Sequence, residues 1–240
     1  MPDSGVKRMT GELDPKISDV VLPIIEVEGI PPNLAYKRCL GSGFLIGGSE
    51  YLLTAAHVFK SCQPGYAVAL RVVDGRFETI QLDNITEHPT EDVAICSVKI
   101  PNHVNSFLQP SSTPEHQSLD CHVWGYPTDV LYDSDERGND GRTLQRPELI
   151  FMKCYIRRRI TRAIPPFKGS QFYEINDSAG AGCSGAPMVA IKPFAWQVCG
   201  IYMGEMLREH GENPVRSRGY AVRMEAVADW LRQINPSLIG

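Results

Sequence analysis

The sequence predicts an all-β fold: two packed antiparallel β-barrels followed by a C-terminal α-helix. Short apolar runs rich in Val, Ile and Leu recur along the chain, separated by glycine and proline turn signals. These runs fall into two blocks divided by one polar, proline-bearing stretch. Only one segment, near the end, places its apolar residues at helical spacing. With 240 residues the chain can bury two small cores that share an interface. The expected division is 15–115 for an N-terminal barrel and 116–240 for a C-terminal barrel with the terminal helix.

Taken in order, residues 20–27 alternate loosely and are rich in Val and Ile. Residues 43–46 and 51–54 flank Gly47-Gly48, a hairpin signal because glycine tolerates the positive φ such turns require. Residues 67–73 and 77–82 flank Asp74-Gly75, a second hairpin, and 93–100 make a further apolar strand. The stretch 101–117, with Pro110, Ser111, Ser112, Thr113 and Pro114, has the composition of a linker. Strands resume at 121–126, 149–156, 172–175, 186–191, 197–202 and 219–222. Between the first two, the hydrophilic residues 129–146 read as a mobile surface loop. At the end, Val227, Trp230, Leu231 and Ile234 recur at helical spacing until Pro236 stops the helix.

Composition excludes several classes of function. A net charge of −4 gives no reason to expect nucleic acid or an anionic membrane as a partner. The run Arg157-Arg158-Arg159, with Arg162 beyond, reads as a solvated strand end rather than a binding patch. No apolar stretch reaches the roughly 18 residues of a membrane span. The polar residues 1–16 lack the apolar centre of an export signal. Seven cysteines, odd in number and without a Cys-x-x-Cys pair, argue against a disulfide framework and against zinc. A reducing, cytoplasmic setting with no cofactor follows as the expectation, and the sequons at Asn84 and Asn176 are discounted accordingly.

Three short segments carry candidate chemistry. In Gly180-Ala181-Gly182-Cys183-Ser184-Gly185-Ala186-Pro187, small residues leave a serine hydroxyl and neighbouring N–H groups open to a substrate carbonyl. Taken alone, the segment reads equally well as a glycine-rich turn. His57 follows an apolar strand and the small residues Ala55 and Ala56; alone, it reads more readily as a core histidine. Asp92 precedes Val93-Ala94-Ile95 and is either a strand cap or a carboxylate matched to a histidine N–H.

Together, these segments resemble the trypsin-like serine proteases, in that family's chain order of His, Asp, Ser. Gly41-Ser42-Gly43-Phe44 through Ala55-Ala56-His57 is similar to the histidine block, His88-Pro89 with Asp92-Val93-Ala94 to the aspartate block, and Gly182-Cys183-Ser184-Gly185 to the serine block. The Gly-Ser-Gly-Phe opening and Gly219-Tyr220-Ala221-Val222 look closest to bacterial and intracellular branches. The resemblance implies six strands per barrel and a triad of His57, Asp92 and Ser184. It also implies an oxyanion hole from the Gly182 and Ser184 N–H groups, a protein or peptide substrate, and a side-chain pocket at Ser178, Tyr202, Met203 and Gly204. A neutral Ser178 at the pocket floor ranks a small or medium apolar side chain ahead of a basic one, although Asp177 and Glu205 lie close in sequence.

Cys183 departs from the family pattern, in which an aspartate usually precedes the serine and receives a new N-terminal ammonium. A thiol cannot form that ion pair, so activation by N-terminal cleavage is not expected, and a regulatory protein partner or stimulus takes its place. Val58 stands where the family commonly has a disulfide cysteine. Ser184, rather than Cys183, occupies the nucleophile register. The competing readings are a catalytically silent binding module and a dormant protease. An esterase elbow is excluded, because its Gly-x-Ser-x-Gly pattern and chain order are both absent.

Overall fold

The computed structural model describes residues 16–30, 33–60, 62–63, 65–73, 76–100, 104–128, 131–137, 143–192, 195–206, 209–210, 213–214 and 218–239. After a single helical turn, α1 (Ile17–Val20), six strands follow: β1 (Val21–Ile30), β2 (Asn33–Ile46), β3 (Tyr51–Thr54), β4 (Ala67–Val73), β5 (Arg76–Glu87) and β6 (Ala94–Val98). They close into an antiparallel barrel in the order β1-β2-β3-β6-β5-β4. The connection at Gly47-Gly48 is a hairpin, with Ile46 opposite Tyr51. The Asp74-Gly75 turn lies outside the described residues, but its flanking strands pair as expected, Val73 opposite Arg76.

The stretch between the barrels behaves less like a linker than its composition implies. Its residues 109–110 form β7 (Gln109–Pro110), followed by β8 (Asp120–Gly125), β9 (Leu131–Arg137), β10 (Thr143–Pro147), β11 (Ile150–Thr161), β12 (Gln171–Ile175), β13 (Pro187–Lys192), β14 (Ala195–Met206), β15 (Glu209–His210), β16 (Asn213–Pro214) and β17 (Arg218–Arg223). Strand β7 runs parallel to β14, and Ser111 N–H donates to Val198 O at 2.9 Å. Lys192 Nζ reaches Glu115 at 2.5 Å, while the Glu115 N–H donates to Tyr173 Oη at 2.7 Å. Polar residues thus strap this segment to the second barrel, because each finds a partner on the barrel wall.

The second barrel closes in the order β13-β8-β11-β12-β17-β14, with β13 and β14 sealing it. Within the segment 129–146, expected as a surface loop, β9 and β10 pair antiparallel, while 129–130 and 138–142 lie outside the described residues. Backbone pairing needs no apolar pattern, so a hydrophilic segment can pair. The arginine run is also more than a solvated strand end. A register shift between Ile156 and Arg158 turns Arg157 and Arg158 to the same carboxylate, Glu174, which is 1% exposed. Arg218 joins them. Burial raises the Glu174 pKa, but the Arg158 hydrogen bonds and the surrounding guanidinium charges outweigh it and hold the carboxyl below its usual range.

One apolar core runs through both barrels, joining Leu22, Phe44 and Leu53 of the first to Val198, Ile201 and Val222 of the second. Each such side chain taken from water contributes about 1.5–3 kcal/mol. A separate cluster, including Cys121, Cys154, Tyr173, Met188 and Tyr202, comes from the second barrel alone. After the one-turn segment Met224–Ala226, helix α2 (Ala228–Ile234) buries Leu231 and sets Trp230 edge-on to His88 of the first barrel at 5.1 Å. No described helix is long and apolar enough to cross a membrane.

Candidate active site

The three sequence-predicted residues arrive on separate elements. His57 sits in a 3-10 turn, Ala56–Phe59, directly after β3. Its neighbours Ala55 and Ala56 are fully buried, so the short turn packs close to the barrel while the imidazole stays about one-third exposed. Asp92 lies just before β6 and grips the histidine twice. The His57 main-chain N–H donates to Oδ1 at 2.9 Å, and Nδ1 lies 2.9 Å from Oδ2. Burial raises the Asp92 pKa, but hydrogen bonds from the His57 ring and main chain outweigh it, so the carboxyl is held below its ordinary value. An ionised carboxylate can only accept, so Nδ1 carries a proton toward it, and in a neutral ring Nε2 is then the acceptor.

The serine loop is built from the second barrel but bolted to the first. Ser42 N–H donates to Ser184 O at 2.8 Å, and Ser42 Oγ donates to Gly182 O at 3.0 Å. Ser42 Oγ in turn accepts from Tyr126 N–H at 2.9 Å, while Thr54 Oγ1 donates to Ser42 O at 2.6 Å. Gly185, at φ +88°, leaves no room for a Cβ, which would come 2.1 Å from both Ser42 O and Thr54 Oγ1. Neither the Gly182 nor the Ser184 N–H donates to an acceptor among the described residues. Ser42, Thr54 and Tyr126 were not singled out from the sequence. The Gly-x-Gly pattern around Ser42 was the available signal, since glycines on both sides permit such close backbone approach.

The structure brings His57 and Asp92 into direct contact, but it does not hydrogen-bond Ser184 to His57. Instead, Ser184 Oγ donates to Met203 O at 3.0 Å. Cys183 is fully buried and its Sγ donates to Ala179 O at 3.0 Å. Of the residues expected to line a pocket, Tyr202 is fully buried, and its hydroxyl accepts from Ala179 N–H at 3.0 Å and lies 3.2 Å from Ser178 Oγ. Burial pushes the Tyr202 phenol up to about 12, so it stays neutral. Met203 is buried and Gly204 half-buried, on the strand next to Ser184. Gly41 stands against Val58, whose Cγ2 would be 2.6 Å from an added Cβ. Among the described residues, no group of three His, Cys, Asp or Glu side chains could hold a metal.

Solved structures share this architecture. The Rv3671c protease of M. tuberculosis H37Rv, as a serine-to-alanine mutant in its inactive form, is 20% identical with a TM-score of 0.59, covering 91% of this chain and 88% of its own. The HtrA-type protease AlgW with a bound decapeptide is 16% identical with a TM-score of 0.62, covering 90% of this chain and 64% of its own. The MamO protease domain of Magnetospirillum magneticum is 13% identical with a TM-score of 0.57, covering 89% and 96%. At these identities the likeness shows the fold. No curated protein matches the sequence. The family model for the trypsin-like peptidase domain matches residues 41–201, a span that contains the His57, Asp92 and Ser184 segments. By that match and by its paired barrels, the chain belongs to the trypsin-like peptidase family.

Proposed function

We propose that this protein is a serine endopeptidase that hydrolyses peptide bonds through Ser184, His57 and Asp92. The observation that carries the reading is the two-point grip of Asp92 on the His57 main chain and ring. It orients the imidazole, selects the tautomer with a free Nε2 and stabilises the imidazolium once formed. In the first step Ser184 Oγ bonds to the scissile carbonyl carbon, and its proton passes to His57 Nε2. The oxyanion settles on the Gly182 and Ser184 N–H groups, each worth about 3 kcal/mol in the transition state. Collapse breaks the C–N bond, with the His57 proton going to the leaving amine. Water then repeats the sequence on the acyl-enzyme. The proposed division, 15–115 carrying His57 and Asp92 and 116–240 carrying Ser184, puts this chemistry at the seam between barrels.

A peptide fits the strand beside the serine. Strand β13 pairs with β14 as far as Ile201, and from Met203 to Met206 that edge has no strand partner among the described residues. A substrate strand added there presents N–H groups to the edge carbonyls. Its competition for Met203 O releases the Ser184 hydroxyl toward His57. Ser178, Tyr202, Met203 and Gly204, proposed as the side-chain pocket, are neutral, and Asp177 is exposed with its carboxylate turned to the Ser178 N–H. A small or medium apolar side chain before the scissile bond suits it.

Regulation by a partner or stimulus, rather than by N-terminal cleavage, is supported by Cys183, which anchors the loop through Ala179 and needs no ammonium. The seven cysteines, none of them in a disulfide among the described residues, support a reducing, cytoplasmic setting. Ser184 resting on Met203 O is the one feature that favours a silent binding module. A fluorophosphonate probe separates the two. Labelling that disappears in Ser184→Ala, with cleavage in a peptide library, is the expected result. Absence of labelling in the intact protein, with and without peptide, overturns an enzyme that is active by itself and leaves the silent module or a protease that waits on its partner.

A further inference from the structure

Beside Asp92 stands a second buried carboxylate that the proposed chemistry does not use. Glu91 is 3% exposed, as is Asp92. Its side chain crosses to the second barrel and accepts the Ser170 N–H at 3.1 Å and the Gln171 N–H at 3.2 Å, where β12 begins. Gly169 admits it: a Cβ there, already strained at φ +109°, would lie 2.2 Å from Glu91 Oε2. Next to it, Lys168 Nζ donates to His88 O at 3.0 Å.

The Asp92 turn transmits any tilt of Glu91. Val93 N–H donates to Glu91 O at 2.9 Å, so Asp92 is the middle residue of a three-residue turn and cannot move independently of Glu91. The rest of the turn is closed by His88, whose Nδ1 accepts the Glu91 N–H at 2.9 Å and the Thr90 N–H at 3.2 Å, and whose own N–H donates to Val93 O at 2.8 Å. An apolar contact would hold two loops together without the desolvation penalty of a buried charge. What the carboxylate adds is direction, because main-chain N–H groups at fixed positions define where its oxygens sit.

We infer that Glu91 is a positioning residue, which uses the second barrel's 168–171 loop as a datum to set Asp92 against His57. The inference rests on the proposed triad. Loss of the clasp lets the turn rotate, and a displacement of about 1 Å at a catalytic group costs up to about 100-fold in rate. Among the described residues, neither Glu91 nor the 168–171 loop hydrogen-bonds to β14.

The experiment measures kcat, KM and thermal stability of the full chain with a peptide found by library profiling, alongside fluorophosphonate labelling. Glu91→Ala is expected to lower kcat by about 10–100-fold with KM unchanged within about twofold. Glu91→Gln keeps an oxygen acceptor and is expected to retain kcat within about threefold. Gly169→Ala attacks the same contact from the other side and is expected to reproduce the Ala result should Glu91→Ala not fold. A normal kcat in Glu91→Ala or in Gly169→Ala overturns the inference, as does a Gln variant no better than Ala. Labelling that persists in Ser184→Ala overturns the triad reading instead, so the two failures are distinct.

Discussion

The two halves of the candidate site are held in different ways. The His57–Asp92 half is complete: the carboxylate is buried, ionised and committed to the histidine at two points. The Ser184 half has its backbone fixed by Ser42, but its hydroxyl rests on Met203 O. Such a difference teaches where control can act. The candidate base is paired in advance, at the desolvation cost of burying a carboxylate, whereas the candidate nucleophile rests on one side-chain torsion, which a bound strand can change at little cost.

The largest expected effect tests the prepared half. Asp92→Asn presents an amide where the carboxylate fixed the tautomer, and kcat should fall by about 10,000-fold while the fold persists. Steady-state kinetics with circular dichroism checks this; a loss under tenfold breaks the comparison. Next is the junction of the halves. Gly185→Ala forces a Cβ into Ser42 O and Thr54 Oγ1 at positive φ, and should cost about 3 kcal/mol. For a chain of this size that lowers Tm by about 6–12 °C. Ser42→Ala is milder: it strips the hydroxyl from Gly182 O and leaves the Tyr126 N–H without its acceptor. A loss of about 1–3 kcal/mol in stability is expected by denaturant titration, with reduced kcat, because Gly182, a proposed oxyanion donor, loses its anchor.

The smallest effect is in pH. His88 Nδ1 accepts two N–H groups, so the folded state wants the ring neutral; burial lowers its pKa from the usual 6.5, beyond what Glu91 restores. Its contribution to stability is therefore full above about pH 6.5 and declines as pH falls from there toward the lowered folded value. Asp92 and Glu174 act at lower pH, since their folded pKa values are depressed. Their contributions are full above the ordinary carboxylate range and are lost as pH falls through the depressed values. Between pH 7 and 5, the fall in Tm should shrink in His88→Asn, whose amide oxygen can accept without titrating. An unchanged slope removes His88 from the account of the Asp92 turn.

Much of this was legible in residue order. The strand runs predicted the two barrels because alternation and turn glycines act locally, within a few residues. Likewise His57, Asp92 and Ser184 stand in segments whose small residues reveal close packing. Charge patterning was less readable. Arg157 and Arg158 have a solvated composition, yet a register shift directs both to one buried glutamate. The strap before β8 and the β9–β10 hairpin escaped for the same reason: their pairing is to backbone and distant side chains, which leaves no periodic trace.

What residue order alone determined was the kind of fold, the family resemblance and the identity of three candidate groups, since those depend on local pattern and on matching segments. Only the tertiary structure decided how the candidates meet. It set Asp92 on both atoms of His57, tied the serine loop to Ser42 across the barrel seam, turned the Ser184 hydroxyl to Met203 and brought Glu91 to Ser170 and Gln171. Each of these is a hydrogen bond with a required direction between residues far apart in the chain, and direction at a distance exists only once the backbone is folded.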